Sequence, residues 1–221
     1  MTNDSSPMTN SVYTQELIQA VEQANSAERL VEAVRALAAC HSEEAISTLI
    51  AVLGYNNPGA AIVAVEGLIR FGAAAVVPLV EQLDDYNYGA RAYSIRALAA
   101  IADPRALDVL VTAAASDFAP SVRRAAAKGV GNLHWHLLES ERVTEAQAKV
   151  LQTLLQISDD ADWAIRYAAV VGLQALAIGA TEMVGAIQNR FEQMLASEAD
   201  KAVRSRVLLA QQRLQESKVS G

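Results

Sequence analysis

Apolar residues recur along the chain at the spacing typical of helices. Leu17, Val21, Leu30, Val34 and Leu37 follow one another at separations that include three, four and seven residues, which places side chains on one face of a helix. No segment alternates apolar and polar residues with a period of two over a useful length. The pattern therefore predicts helices and no strands.

One motif recurs through the chain. A turn residue, usually with an Asp or Asn, precedes a helix that opens with an apolar residue and an arginine and continues with alanines. The marking arginines Arg91, Arg123, Arg166 and Arg204 are separated by 32, 43 and 38 residues, and residues 57–68 form a degenerate copy. Such intervals, with two helices per unit, are typical of HEAT or armadillo solenoids. The chain is therefore predicted to be an all-α solenoid of about five HEAT-like repeats.

Between the marked helices, partner helices are predicted over residues 73–83, 106–115 and 143–157. The carboxylates before the marked helices are predicted to cap them, because they accept hydrogen bonds from unpaired backbone N–H groups and oppose the helix dipole. The interval of 43 residues contains an extra segment, 131–142. This segment is predicted to form a loop or a longer helix on a face of the kind that often binds.

Length and composition support this architecture. The chain has 221 residues, and residues 12–216 are predicted to form one domain between a disordered tail, 1–11, and a frayed end, 217–221. A hydrophobic content of 52% with only 5% aromatics favours helices packed on small side chains over a β-sandwich. The net charge of −7 argues against nucleic acid as a partner, because phosphate binding needs clustered Lys and Arg.

Cysteine usage and targeting signals point to a reducing compartment. The one cysteine, Cys40, excludes an intrachain disulfide framework and a cysteine-rich zinc site. It is interpreted as a small buried hydrophobe rather than a transient carrier of a ligand. The opening residues lack the features of a secretory signal, and no segment approaches the roughly 20 apolar residues of a membrane span. A cytoplasmic location with no membrane span is therefore expected.

Residues 86–98, 102–107 and 122–135 resemble the phycobilin lyases of the E/F type, HEAT-like proteins that attach bilins to phycobiliproteins. The chain length and the segment Gly131-Asn132-Leu133-His134-Trp135-His136 are similar to the F-type subunits of that family. The resemblance extends over most of the chain, from Asn25 to Leu214.

The resemblance implies an enzyme that works as a heterodimer of an E-type and an F-type subunit. It adds a cysteine thiol of the apo-phycocyanin alpha chain to the ethylidene group of phycocyanobilin and so forms a thioether. The bilin is the substrate, and no cofactor is implied. A related F-type subunit that also isomerises the bilin carries a His-Cys pair where this chain has His134-Trp135. Attachment without isomerisation is therefore expected.

Two non-catalytic functions remain as alternatives. One is a HEAT-repeat scaffold or chaperone for phycobiliproteins, including a factor in phycobilisome degradation. The other, more distant, is a HEAT adaptor unrelated to bilins. Partner-dependent thioether formation separates the lyase from both, because a scaffold would bind the apo-protein without producing a covalent chromophore.

An open-chain tetrapyrrole offers pyrrole N–H groups, two propionates and a long apolar face, and the repeat arginines could pair the propionates bidentately. Arg91 and Arg123 are the preferred candidates, with Arg124 and Arg166 as further ones. The alternative for each is a bond to a carboxylate of the adjacent repeat. The binding site is expected on the concave surface of repeats three to five, with an interface shared with the E-type partner.

Proton handling is assigned to imidazole or carboxylate groups. His134 or His136 could act as a general base for the thiol or could protonate the bilin. On a helix their spacing would point the two rings about 200° apart, so they are not expected to share a ligand, and no metal site is expected. Asp117 is the preferred carboxylate. The set that could bond the pyrrole nitrogens, or could simply cap helices, is Asp84, Asp85, Asp117, Asp159 and Asp160.

Aromatic side chains are concentrated in the central repeats, which favours a planar ligand or a partner surface over uniform core packing. The preferred contacts are Tyr88, Trp135 and Trp163, whereas Tyr93 and Tyr167 are interpreted as core members. Tyr86 completes the group.

Overall fold

The structure is a computed structural model that describes residues 7–83 and 87–219, with side chains described for 11–83 and 87–216. No strand occurs within these ranges, in agreement with the predicted all-α class. The helices are α1 (Pro7–Glu22), α2 (Ala27–Ala38), α3 (Ile46–Val52), α4 (Pro58–Phe71), α5 (Ala73–Glu81), α6 (Tyr88–Ile101), α7 (Leu107–Ser116), α8 (Pro120–Gly129), α9 (Ser140–Ile157), α10 (Trp163–Gly179), α11 (Val184–Ser197) and α12 (Lys201–Val219).

The described residues divide into two compact units between Ile101 and Ala102. In the first unit, α2, α4 and α6 pack side by side, α3 and α5 pack on them, and α1 packs on α2. In the second unit, α8, α10 and α12 form one layer, with α10 between its two neighbours, and α7, α9 and α11 pack against that layer. Each repeat contributes one helix to each layer, as expected for a HEAT solenoid.

The predicted partner helices over 73–83, 106–115 and 143–157 are confirmed as α5, α7 and α9. The extra segment is divided between two structures. Its first part forms two short 3₁₀ turns, Val130–Asn132 and Trp135–Leu137, and its last three residues belong to the first turn of α9, which begins at Ser140. The segment thus contains both a loop with 3₁₀ turns and the start of the long helix α9.

The helical part of the chain extends beyond the predicted domain ends. Helix α1 begins at Pro7, so residues 7–11 of the expected tail are helical, and α12 continues to Val219. Proline suits the first turn of a helix because its φ angle is already helical and its missing N–H group has no partner to lose there.

Polar side chains before the helices accept hydrogen bonds from backbone N–H groups of the first turn, as the turn composition predicts. Asp162 caps α10 through the N–H group of Ala164 at 2.8 Å, and Asp200 caps α12 through that of Ala202 at 2.8 Å. Asn57 and Asn87 bond the N–H groups three residues further on. These bonds fix where each repeat begins its second helix.

Helices α8 and α10 approach one another at the level of their backbones. A Cβ atom placed on Gly131, just after α8, would lie 2.0 Å from the carbonyl oxygen of Gly172. A Cβ atom placed on Gly172 would lie 2.2 Å from the carbonyl oxygen of Ala127. Since neither distance leaves room for a carbon atom, the two glycines set how closely the repeats pack.

Candidate functional site

A series of arginines connects successive repeats of the second unit. The Nη2 atom of Arg123, in the first turn of α8, donates to Asp160 Oδ2 at 2.5 Å, and Asp160 lies in the turn before α10. Asp160 also accepts a bond from the N–H group of Asp162. Both charged side chains are mostly buried. Arg123 thus makes the contact with the adjacent repeat that was the alternative to propionate binding.

Arg166 makes the corresponding contact in the next repeat. Its Nε and Nη2 atoms donate to the two carboxylate oxygens of Glu198 at 2.6 and 2.8 Å, and its Nη1 atom donates to the carbonyl oxygen of Asp160 at 2.8 Å. Hydrogen bonds from Arg166 hold the pKa of the Glu198 carboxyl below its ordinary value, although burial acts in the opposite direction. The same bonds raise the pKa of Arg166. The pair is therefore ionised and bidentate.

Two further arginines complete what we call the arginine ladder: Arg123, Arg166, Arg190 and Arg204 with their acceptors. Arg190, on α11, donates to Ser158 Oγ at 2.7 Å and also pairs with Asp159. Arg204, on α12, donates to the carbonyl oxygen of Leu195 at 2.5 Å. A cleft of about 320 Å³ lies among Ser158, Arg166, Arg190 and Glu198. Each guanidinium group of the ladder therefore donates hydrogen bonds to acceptors within the protein.

The two candidate histidines stand side by side. The segment does not continue α8, because a 3₁₀ turn follows Gly129 and Leu133 is extended, with φ −63° and ψ 149°. His134 and His136 are both exposed, and their ring centroids lie 5.6 Å apart with the ring planes tilted by 39°. The expectation that the rings point about 200° apart is wrong, because it assumed a helix at this position.

A backbone hydrogen bond to Ala102 anchors the histidine segment. The backbone N–H group of His134 donates to the carbonyl oxygen of Ala102 at 2.8 Å, and Ala102 has a φ angle of 59°, in the left-handed region. Next to Ala102, Asp103 is buried and accepts two bonds from the Arg105 guanidinium, at 2.9 and 2.7 Å. The Arg105 bonds are the main reason for the lowered pKa of Asp103, and the charge of His134 lowers it slightly further.

Trp135 lies between the histidines and points inward. It is 8% exposed, and a Cβ atom on Gly179, at the end of α10, would lie 2.9 Å from its ring. The indole therefore packs against the backbone of α10 instead of forming an exposed wall for a ligand. Its burial fixes the turn that holds both imidazoles outward.

Exposed aromatic rings lie at the starts of the marked helices. Tyr88 at the start of α6 is 61% exposed and Trp163 at the start of α10 is 50% exposed. Phe118, two residues before α8, is 72% exposed. Phe118 was not among the residues predicted from the sequence. Its place between Asp117 and Pro120, where another marked helix carries Trp163, is the signal that could have identified it.

The remaining candidates lie in different places. Arg91 is 4% exposed, within the first unit, and Arg124, Tyr93 and Tyr167 are half-buried. Asp117 is half-buried and accepts a bond from the N–H group of Ala119 at 2.8 Å. Cys40 is half-buried after α2. Asp84, Asp85 and Tyr86 lie outside the described residues.

Neither a metal cluster nor a membrane helix is found in the part of the chain that the structure describes. There, no group of three or more His, Cys, Asp or Glu residues is arranged to hold a metal ion. Likewise, no helix among these residues combines the length and the apolar character needed to cross a bilayer.

Family profiles and individual relatives both match this chain. A family profile for HEAT repeats matches residues 76–174, and one for the PBS lyase HEAT-like repeat matches residues 30–55. The chain is 61% identical to the phycocyanobilin lyase subunit beta of Nostoc sp. strain PCC 7120, over 90% of this chain and 98% of the relative. It is 49% identical to the phycocyanin alpha phycocyanobilin lyase CpcF of Synechocystis sp. strain PCC 6803, over 90% and 94% of the two chains.

A solved structure extends this similarity to three dimensions. A chain in the complex of CpcE and CpcF of phycocyanin lyase from Nostoc sp. PCC 7120 is 64% identical and superposes with a TM-score of 0.75, over 77% of this chain and 99% of that one. High identity over nearly the whole length of these relatives, on the same repeat architecture, shows that the chain belongs to the family of phycocyanobilin lyase beta subunits.

Proposed function

We propose that this chain is the F-type subunit of a heterodimeric lyase that attaches phycocyanobilin, through a thioether bond, to a cysteine of the phycocyanin alpha chain. The observation that carries the proposal is the 61% identity to a phycocyanobilin lyase beta subunit over 98% of that relative. The similar solved chain comes from a complex of CpcE and CpcF, which supports an E-type partner for this chain. The reduced thiol of the acceptor suits a cytoplasmic location.

The reaction needs a base, an acid and a held bilin. The substrate thiol loses its proton, its sulfur forms a bond to the ethylidene carbon, and the electrons of the double bond take up a proton on the bilin. His134 and His136 are exposed neighbours, so one imidazole can accept the thiol proton while the other donates to the bilin. Asp117 is proposed as the carboxylate that bonds the pyrrole nitrogens.

The aromatic and cationic candidates take different roles in this proposal. Tyr88 and Trp163, which are exposed, are proposed to contact the bilin or the apo alpha chain. Trp135 is proposed to position the histidines. Arg123 and Arg166 already bond carboxylates and are proposed to hold the repeats of the second unit in place, and the buried Arg91 is proposed to do the same within the first unit. With Trp135 in place of a thiol, attachment proceeds without isomerisation.

Coexpression tests this proposal. The chain, an E-type partner, a source of phycocyanobilin and the apo alpha chain are expressed together, and covalent product is read by zinc-enhanced fluorescence after denaturing electrophoresis. We expect a fluorescent alpha-chain band that disappears when this chain is omitted. If no band forms while the apo alpha chain is still retained by this chain, the function is that of a scaffold.

A further inference from the structure

One guanidinium group differs from the arginine ladder. Arg206, on α12, is 8% exposed, and its Nη2 atom donates to Gln174 Oε1, on α10, at 2.8 Å. Its Nη1 atom is buried and has no hydrogen-bond partner among the described residues. A buried guanidinium with an unused donor is costly unless an anion compensates its charge.

The charged groups around Arg206 do not supply that compensation. Burial is the main cause of a lowered pKa for Arg206, and the neighbouring cation Arg213 lowers it further, whereas Tyr167 acts in the opposite direction. None of these groups is a carboxylate. By contrast, Arg123 and Arg166 each bind an acidic side chain of the next repeat.

The side chains of Arg206 and of the three residues named around it lie along the facing sides of two helices, and we call them the polar strip. Tyr167 and Gln174 are seven residues apart on α10, and Arg206 and Arg213 are seven residues apart on α12. A separation of seven residues returns to the same face of a helix, and α10 packs against α12. The strip therefore combines two cations with a phenol and an amide, a set of groups that suits a planar anion.

We infer that Arg206, with Gln174, Tyr167 and Arg213 around it, forms a site for a carboxylate group of a small-molecule ligand, and that in the lyase this group is a propionate of the bilin. The second part rests on the proposed function. The Nη1 atom is shielded from solvent in the free chain, so binding of a carboxylate there requires a local rearrangement around Arg206. Arg206 is not one of the marking arginines of the repeat motif, so their spacing did not predict this site.

The test compares an acid with its ester. Biliverdin, an open-chain tetrapyrrole with two propionates, and biliverdin dimethyl ester are titrated into the complex of this chain with its E-type partner, and tryptophan quenching is followed. The variants are Arg206→Gln and, as a matched control, Arg142→Gln, which removes an exposed arginine of α9. We expect the wild-type complex and the control to prefer the acid by about tenfold, as a charge-assisted bond implies. Arg206→Gln should lose this preference.

A second measurement excludes misfolding as the cause. Thermal unfolding is recorded with and without biliverdin for the wild type and for Arg206→Met. Because the substitution removes an uncompensated buried charge, we expect the unliganded variant to melt at the same or a higher temperature. The increase in Tm produced by biliverdin should shrink. A variant with a lower Tm and an undiminished response to biliverdin overturns the inference.

The remaining outcomes are also decisive. Equal affinity of the wild type for acid and ester, or a preference that survives Arg206→Gln, contradicts the propionate site. Weakened assembly with the E-type partner and an unchanged preference would mean that Arg206 binds a protein carboxylate instead. If the complex attaches phycocyanobilin but shows no preference, the inference fails and the proposed function stands. If the preference for the acid is found but no phycocyanobilin is attached, the carboxylate site stands and the proposed function fails.

Discussion

At the scale of single residues, the contact between guanidinium and carboxylate accounts for how successive repeats are joined. Glu198 receives two bonds from Arg166 and a further one from the N–H group of Asp200 at 2.8 Å. Because its side chain is only 6% exposed, these bonds are weakly screened by water. This carboxylate is thus both an ion-pair partner and a turn-forming group.

Replacing Glu198 by Gln should cost about 2 kcal/mol of unfolding free energy at pH 7, because Arg166 loses its charge-assisted bonds. The folded-state pKa of Glu198 lies below the ordinary value. The stabilisation is therefore complete above the pKa of an unfolded glutamate, about 4.3, and is lost as the pH falls through the folded-state pKa. Urea unfolding at pH 7 and pH 3.5 measures this, with the exposed Glu145→Gln as the control. An equal difference at both pH values would contradict the account.

For the histidines, the matched substitution is asparagine. His41, the remaining one of the three histidines in the sequence, has a φ angle of 55°, a conformation that Asn tolerates. We expect His134→Asn or His136→Asn to slow covalent attachment by about 100-fold, as loss of a general acid or base does, while His41→Asn has no effect. The rate of thioether formation as a function of pH is the measurement. Rates unchanged in both variants would remove the imidazoles from the reaction.

At the scale of elements, the layers are set by close approach as much as by apolar burial. Helix α10 packs on both α8 and α12, and it places Gly172 against the backbone of α8 and Gly179 against Trp135. Small residues at these positions let neighbouring helices meet without a side chain between them. The same close approach that fixes the repeat stack therefore also fixes the turn that carries the histidines.

Gly172→Ala should destabilise the chain by about 3 kcal/mol, because the new methyl group overlaps the carbonyl oxygen of Ala127 and α8 has to move away. Gly185, on α11, is the matched control, since a Cβ atom there meets nothing within 4 Å. Gly185→Ala should leave stability unchanged or raise it slightly. Thermal unfolding of the two variants is the test, and similar Tm values for both would show that α8 and α10 do not meet at the glycines.

At the scale of the whole molecule, the all-α class and the alternation of marked and partner helices could be predicted from the sequence, because both follow from local periodicity and from the residues that cap helices. The contact pattern of Trp135 could not, since its partner Gly179 is 44 residues away. The histidine geometry was missed because the chain leaves the helix at Gly129. Nor does the repeat motif reveal that the Nη1 atom of Arg206 is buried without a partner among the described residues, because this depends on how α12 packs against α10.

The prediction of a single domain can be tested with two probes. Both tryptophans, Trp135 and Trp163, belong to the second compact unit, whereas circular dichroism reports helices of both units. We expect the urea transitions followed by tryptophan fluorescence and by circular dichroism to coincide, as in a two-state domain. A circular dichroism transition without a fluorescence counterpart would show that residues 12–101 unfold separately, and the prediction would be wrong.

The central claim is that this chain is required to form a thioether between phycocyanobilin and the phycocyanin alpha chain. The most direct measurement is intact-protein mass spectrometry of the purified apo alpha chain, sampled over time with phycocyanobilin, the E-type subunit and this chain. The account predicts an increase by the mass of one bilin, located on one cysteine peptide, only when both subunits are present. An adduct that forms at the same rate without this chain would contradict it, as would stable binding of the apo alpha chain with no adduct.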